Sequence, residues 1–166
     1  MIVGTTKTGR ILHTKGAAGI ASHFSIVHSN EGLYTKPIKG KNIRLKNGGH
    51  GQTGMNQLNK YGIAYNIVKT YPNGVRVGNI PSHCNKRKQF GMNQAWFPKT
   101  WTSKDIKHAG EHVANLKKNR HVPDGKIMFG MWKGVRVGVI RTYGQIGTIF
   151  PDSKQPVKRG RKNGYK

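Results

Sequence analysis

The sequence predicts an α+β fold built from two small antiparallel β-sheets or hairpins with short helices. Three observations carry this. The segment Asn73–Ile80 (NGVRVGNI) is echoed by Lys133–Ile140 (KGVRVGVI) at six of eight positions, which reads as a repeated hairpin unit. Each copy sits among short apolar runs separated by Gly-containing turns. Between the two, Ile106, Ala109, Val113 and Leu116 recur at helical spacing. The apolar residues gather after about position 53, so the core is expected there.

Residues 1–46 read as an N-terminal extension, rich in Gly, Lys and Thr and without a strong period. Its His23 and His28 are not at a usual metal-binding spacing, and the weak context favours exposed or locally packed side chains. A core domain is expected over residues 47–152. Gly48-Gly49-His50-Gly51 reads as a turn that exposes its histidine. Thr53 is positioned to cap a short helix holding Met55 and Leu58, ended by Gly62. A strand follows over Ile63–Thr70. Tyr71-Pro72-Asn73-Gly74 then makes a turn, because Pro presets φ and Asn-Gly tolerates positive φ. The return strand Val75–Ile80 leads to Pro81 and a basic loop, His83–Lys88.

Trp96-Phe97-Pro98 bends the chain, and these rings with Trp101 read as core and corner residues. Thr102 and Asp105 resemble a capping box for a helix over about 103–118. His108 and His112 lie four apart on it, but no Glu sits between them in HExxH form and no third ligand is near, so solvated roles are expected. A three-strand meander over Lys126–Met131, Val135–Thr142 and Ile146–Phe150 closes the domain. Residues 153–166 form a basic tail suited to nonspecific RNA affinity and expected to be disordered. No signal peptide or transmembrane run is read from the sequence.

Charge narrows the partners. Thirty Lys and Arg against five Asp and Glu leave a net charge of +25, a field that attracts polyanions. Nucleic acid comes first, through phosphate contacts and counterion release. A basic amphipathic helix long enough for a membrane surface is not found. The acids are Glu31, Asp105, Glu111, Asp124 and Asp152, none within four residues of another, which disfavours a carboxylate-held Mg²⁺ or a paired-carboxylate hydrolase. Cys84 is alone, so no intramolecular disulfide or Cys-rich zinc site is available. Acid–base chemistry would fall to the eight histidines.

RNA carries its own nucleophile, the 2′-OH. Its cleavage needs a base, an acid for the leaving 5′-oxygen, and a cation for the phosphorane charge. His50 on its glycine turn and His83 beside Lys86, Arg87 and Lys88 are the best-placed pair by sequence. Neighbouring cations would lower an imidazole pKa and keep one of them neutral.

Gly49-His50, Asn73-Gly74-Val75, Ser82-His83, Trp96-Phe97-Pro98-Lys99-Thr100-Trp101 and Gly147-Thr148-Ile149-Phe150-Pro151 together resemble the bacterial EndoU ribonuclease family. More closely, they are similar to the C-terminal toxin domains of contact-dependent growth inhibition and other polymorphic toxin systems. The resemblance covers about residues 47–152. It implies a barnase/EndoU-like fold, RNA cleavage to a 2′,3′-cyclic phosphate with tRNA a candidate substrate, and no required cofactor, Mn²⁺ stimulation being left open. It also implies an acidic immunity protein as partner and a delivered toxin acting in the target-cell cytoplasm, without a membrane anchor. By match, the catalytic set is His50, His83, Lys88 and Thr148, with Lys86 nearly as good as Lys88. Lys86, Arg87 and Phe150 would contact RNA. Phe150 stands where several members have Tyr, which keeps base stacking and loses a phenolic hydrogen bond. In the better-known branch both histidines precede the Asn-Gly-Val hairpin, whereas here His83 follows it. The alternative reading is a non-catalytic basic RNA-binding module.

Overall fold

The computed structural model describes the backbone of residues 2–5, 11–13 and 19–156, and side chains from residue 19 onward. The expected tail beyond residue 156, and most of the extension before residue 19, lie outside the described residues. The chain is a small α+β fold, as the sequence predicts. β1 (Ile2–Thr5) pairs antiparallel with β2 (Ile11–His13). Helix α1 (His23–Asn30) follows, then β3 (Leu33–Tyr34) paired with β4 (Leu45–Asn47), then helix α2 (Gln52–Lys60).

The echoed segments each become the middle strand of a three-stranded antiparallel sheet. In the first, β6 (Arg76–Asn79) lies between β5 (Asn66–Thr70) and β7 (Gln94–Trp96). In the second, β9 (Val135–Thr142) lies between β8 (Ile127–Trp132) and β10 (Gln145–Pro151). Val75 and Val77 of one copy, and Val135 and Val137 of the other, are buried in the same apolar cluster. The repeat thus places equivalent side chains on either side of one core. The two-residue turns of the second meander hold Lys133 and Tyr143 at positive φ, 49° and 54°, which matches the twist of paired strands.

Helix α3 (Ser103–Asn115) packs on the second sheet through Ile106, Ala109 and Val113. Its capping box forms as read, Thr102 and Asp105 each satisfying the other's backbone N–H, and these bonds hold the Asp105 carboxyl below its usual range. The helix stops at Asn115, short of the expected 118, because its last carbonyls are taken by side chains. Arg141, 6% exposed, donates to Ala114 O, Asn119 O and Val122 O, each at 3.0 Å. Asn119 Nδ2 donates to Val113 O at 2.8 Å.

Several local expectations shift. Helix α2 begins at Gln52 with Gly51 as its cap residue, so Thr53 falls inside the first turn. Ile63 closes that helix, its N–H donating to Leu58 O at 2.8 Å, and is buried beside Met55 and Leu58 rather than in a strand. Arg76, on a strand whose sequence gives no sign of it, is half-buried: its guanidinium donates to Gln52 Oε1 at 2.8 Å and to Phe97 O, and burial lowers its pKa. Trp96 and Phe97 are fully buried, with Phe97 stacked on Trp101, as expected for corner residues.

The N-terminal segment is not a loose appendage from Ser22 onward. Helix α1 packs against β10 and α3, and Ser29 Oγ accepts from Ile149 N at 2.9 Å. At the other end, Gln155 is 6% exposed and bonds Asn73 Nδ2, Arg136 N and Arg136 O. It clasps the turns of the two repeats, so the ordered fold extends past residue 153.

Removing the Arg141 side chain would take the guanidinium donors from the carbonyls of Ala114, Asn119 and Val122, of which Asn119 O keeps the Val122 N–H. Arg141→Ala is expected to lower unfolding free energy by about 3 kcal/mol or more, read by urea denaturation. A variant within the error of the parent would show that water replaces the guanidinium there.

Candidate active site

His50 is held by backbone, not by a free turn. Gly49 N donates to His28 O at 3.0 Å, His50 N to Ser29 O at 2.6 Å and Gly51 N to Asn30 O at 3.1 Å. This run stitches the glycine segment along the end of α1. On the opposite side Phe97 N donates to His50 O at 2.7 Å, just past β7. Gly48 makes the approach feasible: it sits at φ +72°, and a Cβ there would lie 2.1 Å from His28 O.

The histidine expected to be exposed is therefore only 5% exposed. Its Nδ1 lies 2.8 Å from Ala95 O. A carbonyl only accepts, so Nδ1 carries the proton and Nε2 keeps the free lone pair. Burial first, then the Lys88 charge, pushes the His50 pKa down to about 3. The imidazole is neutral through the physiological range, the state a general base needs.

The ring lines a cleft of about 360 Å³ shared with Lys88, Thr148, Phe150 and Arg87. Phe150 is tilted against the His50 ring, with centroids 5.8 Å apart. Thr148 and Phe150 both derive from β10 and, alternating along it, reach the same wall. Lys88 sits in a single 3₁₀ turn (Lys86–Gln89) capped by Asn85, whose side chain accepts from Arg87 N. Burial and the neighbouring Arg87 lower the Lys88 pKa to about 8. Lys86 is exposed and does not line the cleft, so the geometry separates the two lysines that sequence left open.

His83 is not displayed by the basic loop. It is 2% exposed, its Nδ1 accepts from Asn85 N at 2.8 Å, and it does not line the cleft. Burial, Lys88 and Arg44 push its pKa down to about 4. Among the charges acting on His50 it is the weakest.

The structure brings a different histidine to Thr148, a residue of the cleft wall, from the far side of that residue. His28, near the end of α1, places Nε2 3.1 Å from Thr148 Oγ1. Burial lowers its pKa, its Nδ1 is buried without a partner, and its charge acts on His50 more strongly than that of His83. Sequence reasoning passed over it because its spacing from His23 suits no usual metal pair and the surrounding segment shows no strong period. The signal that could have found it is its place before the Asn-Gly-Val hairpin, where the better-known branch carries both histidines. Among the described residues, no three or more His, Cys, Asp or Glu side chains are grouped to hold a metal, and no helix is long and apolar enough to cross a membrane.

Two buried neutral imidazoles have a consequence for acid stability. An unfolded histidine titrates near 6.5, whereas His50 and His83 do so near 3 and 4 in the fold. Within that window the unfolded chain binds more protons, so stability falls as pH drops from about 6.5. Urea denaturation at pH 7, 5.5 and 4 should show a progressive loss. A flat profile would contradict the buried, neutral state of both rings.

A family model described as Bacterial EndoU nuclease matches residues 28–153. No curated protein and no solved structure in the comparisons matches the chain. The match begins at the histidine that meets Thr148 and runs through β10, enclosing every residue of the cleft described above. With most of its length matched, the chain belongs to the bacterial EndoU nuclease family.

Proposed function

We propose that this nuclease is a metal-independent endoribonuclease that cleaves RNA by attack of the 2′-OH, with His50 as general base and His28 as its partner acid. The observation that carries the reading is the fixed tautomer of His50, whose Nδ1 is committed to Ala95 O. That leaves Nε2 in a cleft with a lysine and a hydroxyl.

His50 Nε2 takes the 2′-OH proton as the O2′–P bond forms. Lys88 and Thr148 steady the charge on the phosphorane oxygens. The P–O5′ bond breaks, and His28 returns a proton to the leaving O5′, giving a 2′,3′-cyclic phosphate and a 5′-OH end. The substrate phosphodiester raises the His28 pKa on arrival, since an adjacent anion favours the charged imidazole. Phe150 offers a ring to the upstream base, and Arg87 and Lys86 contact the RNA backbone. His83 replaces neither histidine in this scheme. It supports the Lys88 turn from inside, through its bond from Asn85 N.

The biological setting follows the same reading: a toxin acting in a target-cell cytoplasm, with tRNA among its candidate substrates, held in check by an acidic immunity protein. The net charge of +25 supports that choice of inhibitor. An acidic product of a neighbouring reading frame should bind the chain and block cleavage. Failure of every such product to bind removes the immunity partner.

With RNA in EDTA, wild type should yield cyclic phosphate ends. His50→Ala should lose this activity by roughly 100-fold or more in kcat. His28→Gln should show a loss of similar size, while His83→Gln keeps most of kcat. The reverse order would return the second catalytic role to His83. For the free enzyme, kcat/KM should fall above about pH 8 as Lys88 loses its proton. A rate that stays flat to pH 10 would remove Lys88 from the charge-stabilising role.

A further inference from the structure

Thr148 lines two openings, not one. Besides the cleft that holds His50 and Lys88, it borders a second cavity of about 480 Å³. That volume falls in the range of about 300–1,000 Å³ usual for small-ligand sites. His28 also lines it, so the hydrogen-bonded pair His28–Thr148 stands at the boundary between the two openings.

The walls differ in kind. The cleft presents Arg87, Lys88 and Asp152. Among the described residues, the second cavity has no Lys, Arg, Asp or Glu; it offers Phe24, Ser25, Gln145 and Ile146. Phe24 is 66% exposed, and its ring lies nearly parallel to that of His28, at 13° with centroids 6.5 Å apart. The two side chains lie four residues apart on α1, the spacing that makes helical side chains neighbours, and the exposed face of Phe24 is open to a further ring. Phe24 also precedes residue 28, where the family match begins, so this wall belongs to the part of the chain outside the match.

We propose that the second cavity binds the base of the nucleotide downstream of the scissile phosphate, stacked on Phe24. This rests on the ribonuclease reading above and adds a second base site to it. With His50 acting on the 2′-OH, the upstream nucleoside occupies the cleft beside Phe150. The leaving O5′ then points to His28, and the nucleoside it carries passes beyond Thr148 into the uncharged cavity. The side-chain amide of Gln145 and the hydroxyl of Ser25 can donate to or accept from a base edge. The enzyme thereby reads a dinucleotide step, with the phosphate held on the cationic side and an aromatic ring for each base.

The test compares a dinucleoside phosphate with the same molecule carrying an abasic downstream sugar. Wild type should cleave the abasic substrate with kcat/KM lower by about ten-fold or more, the scale of one base–aromatic stack. In Phe24→Ala that difference should vanish, and in Phe24→Trp it should return. Phe24 is exposed, so these variants leave the core intact. Equal rates of wild type on both substrates, or undiminished discrimination by Phe24→Ala, would overturn the downstream site while leaving the ribonuclease reading in place. If wild type cleaves neither substrate but cleaves long RNA, a dinucleotide-reading site is likewise overturned. Inactivity on every RNA sinks the ribonuclease reading and this inference together.

Discussion

The active cleft depends on a short backbone ladder between the glycine segment and the end of α1. Gly49, His50 and Gly51 donate in turn to His28, Ser29 and Asn30. Side-chain positions on a helix end and on an irregular loop ordinarily drift relative to one another. Here three consecutive bonds remove that freedom, and Phe97 N ties the other edge of the same segment to the first sheet. The two histidines are thus carried by neighbouring rungs of one ladder. The Arg76 guanidinium reinforces the arrangement by bridging Gln52 and Phe97, residues on either side of His50 in space. A site on rigid backbone keeps its catalytic geometry without substrate to order it.

The chain's charge balance complements this frame. With only five carboxylates, a buried imidazole here has few anions to stabilise its protonated form. Burial and Lys88 act in the same direction on both His50 and His83. Lys88, one of the cations that make the chain attractive to polyanions, therefore also helps hold the His50 imidazole neutral.

Much of the fold was legible because it is local. The repeated GVRVG segment gave both middle strands, the Thr102–Asp105 box gave the start of α3, and the aromatic corner was read as core. What stayed hidden is set by long-range partners. Arg76 and Arg141 look like ordinary strand arginines, and only distant carbonyls show why the first is half-buried and the second buried. The site divides the same way. His50, Lys88, Thr148 and Phe150 stand on motifs that the sequence displays, and they line one cleft. His28 stands in a helix with no clear apolar face, and its meeting with Thr148 spans 120 residues. The burial of His83 was hidden as well: a run of cations around it suggests a surface loop, while the carbonyls of Ser82 and His83 itself are covered by Arg44 and Gln89.

The placement of Thr148 and Phe150 on β10 also bears on synthesis. A ribosome delivers the base, its backbone ladder and the lysine turn well before the strand that forms the opposite wall. β10 in turn needs β9 for pairing and α1 for its cover. During translation the cleft therefore exists only as an open half-site, lacking its hydroxyl and its aromatic wall. The cleft walls are complete only once β10 has followed β9 out of the ribosome.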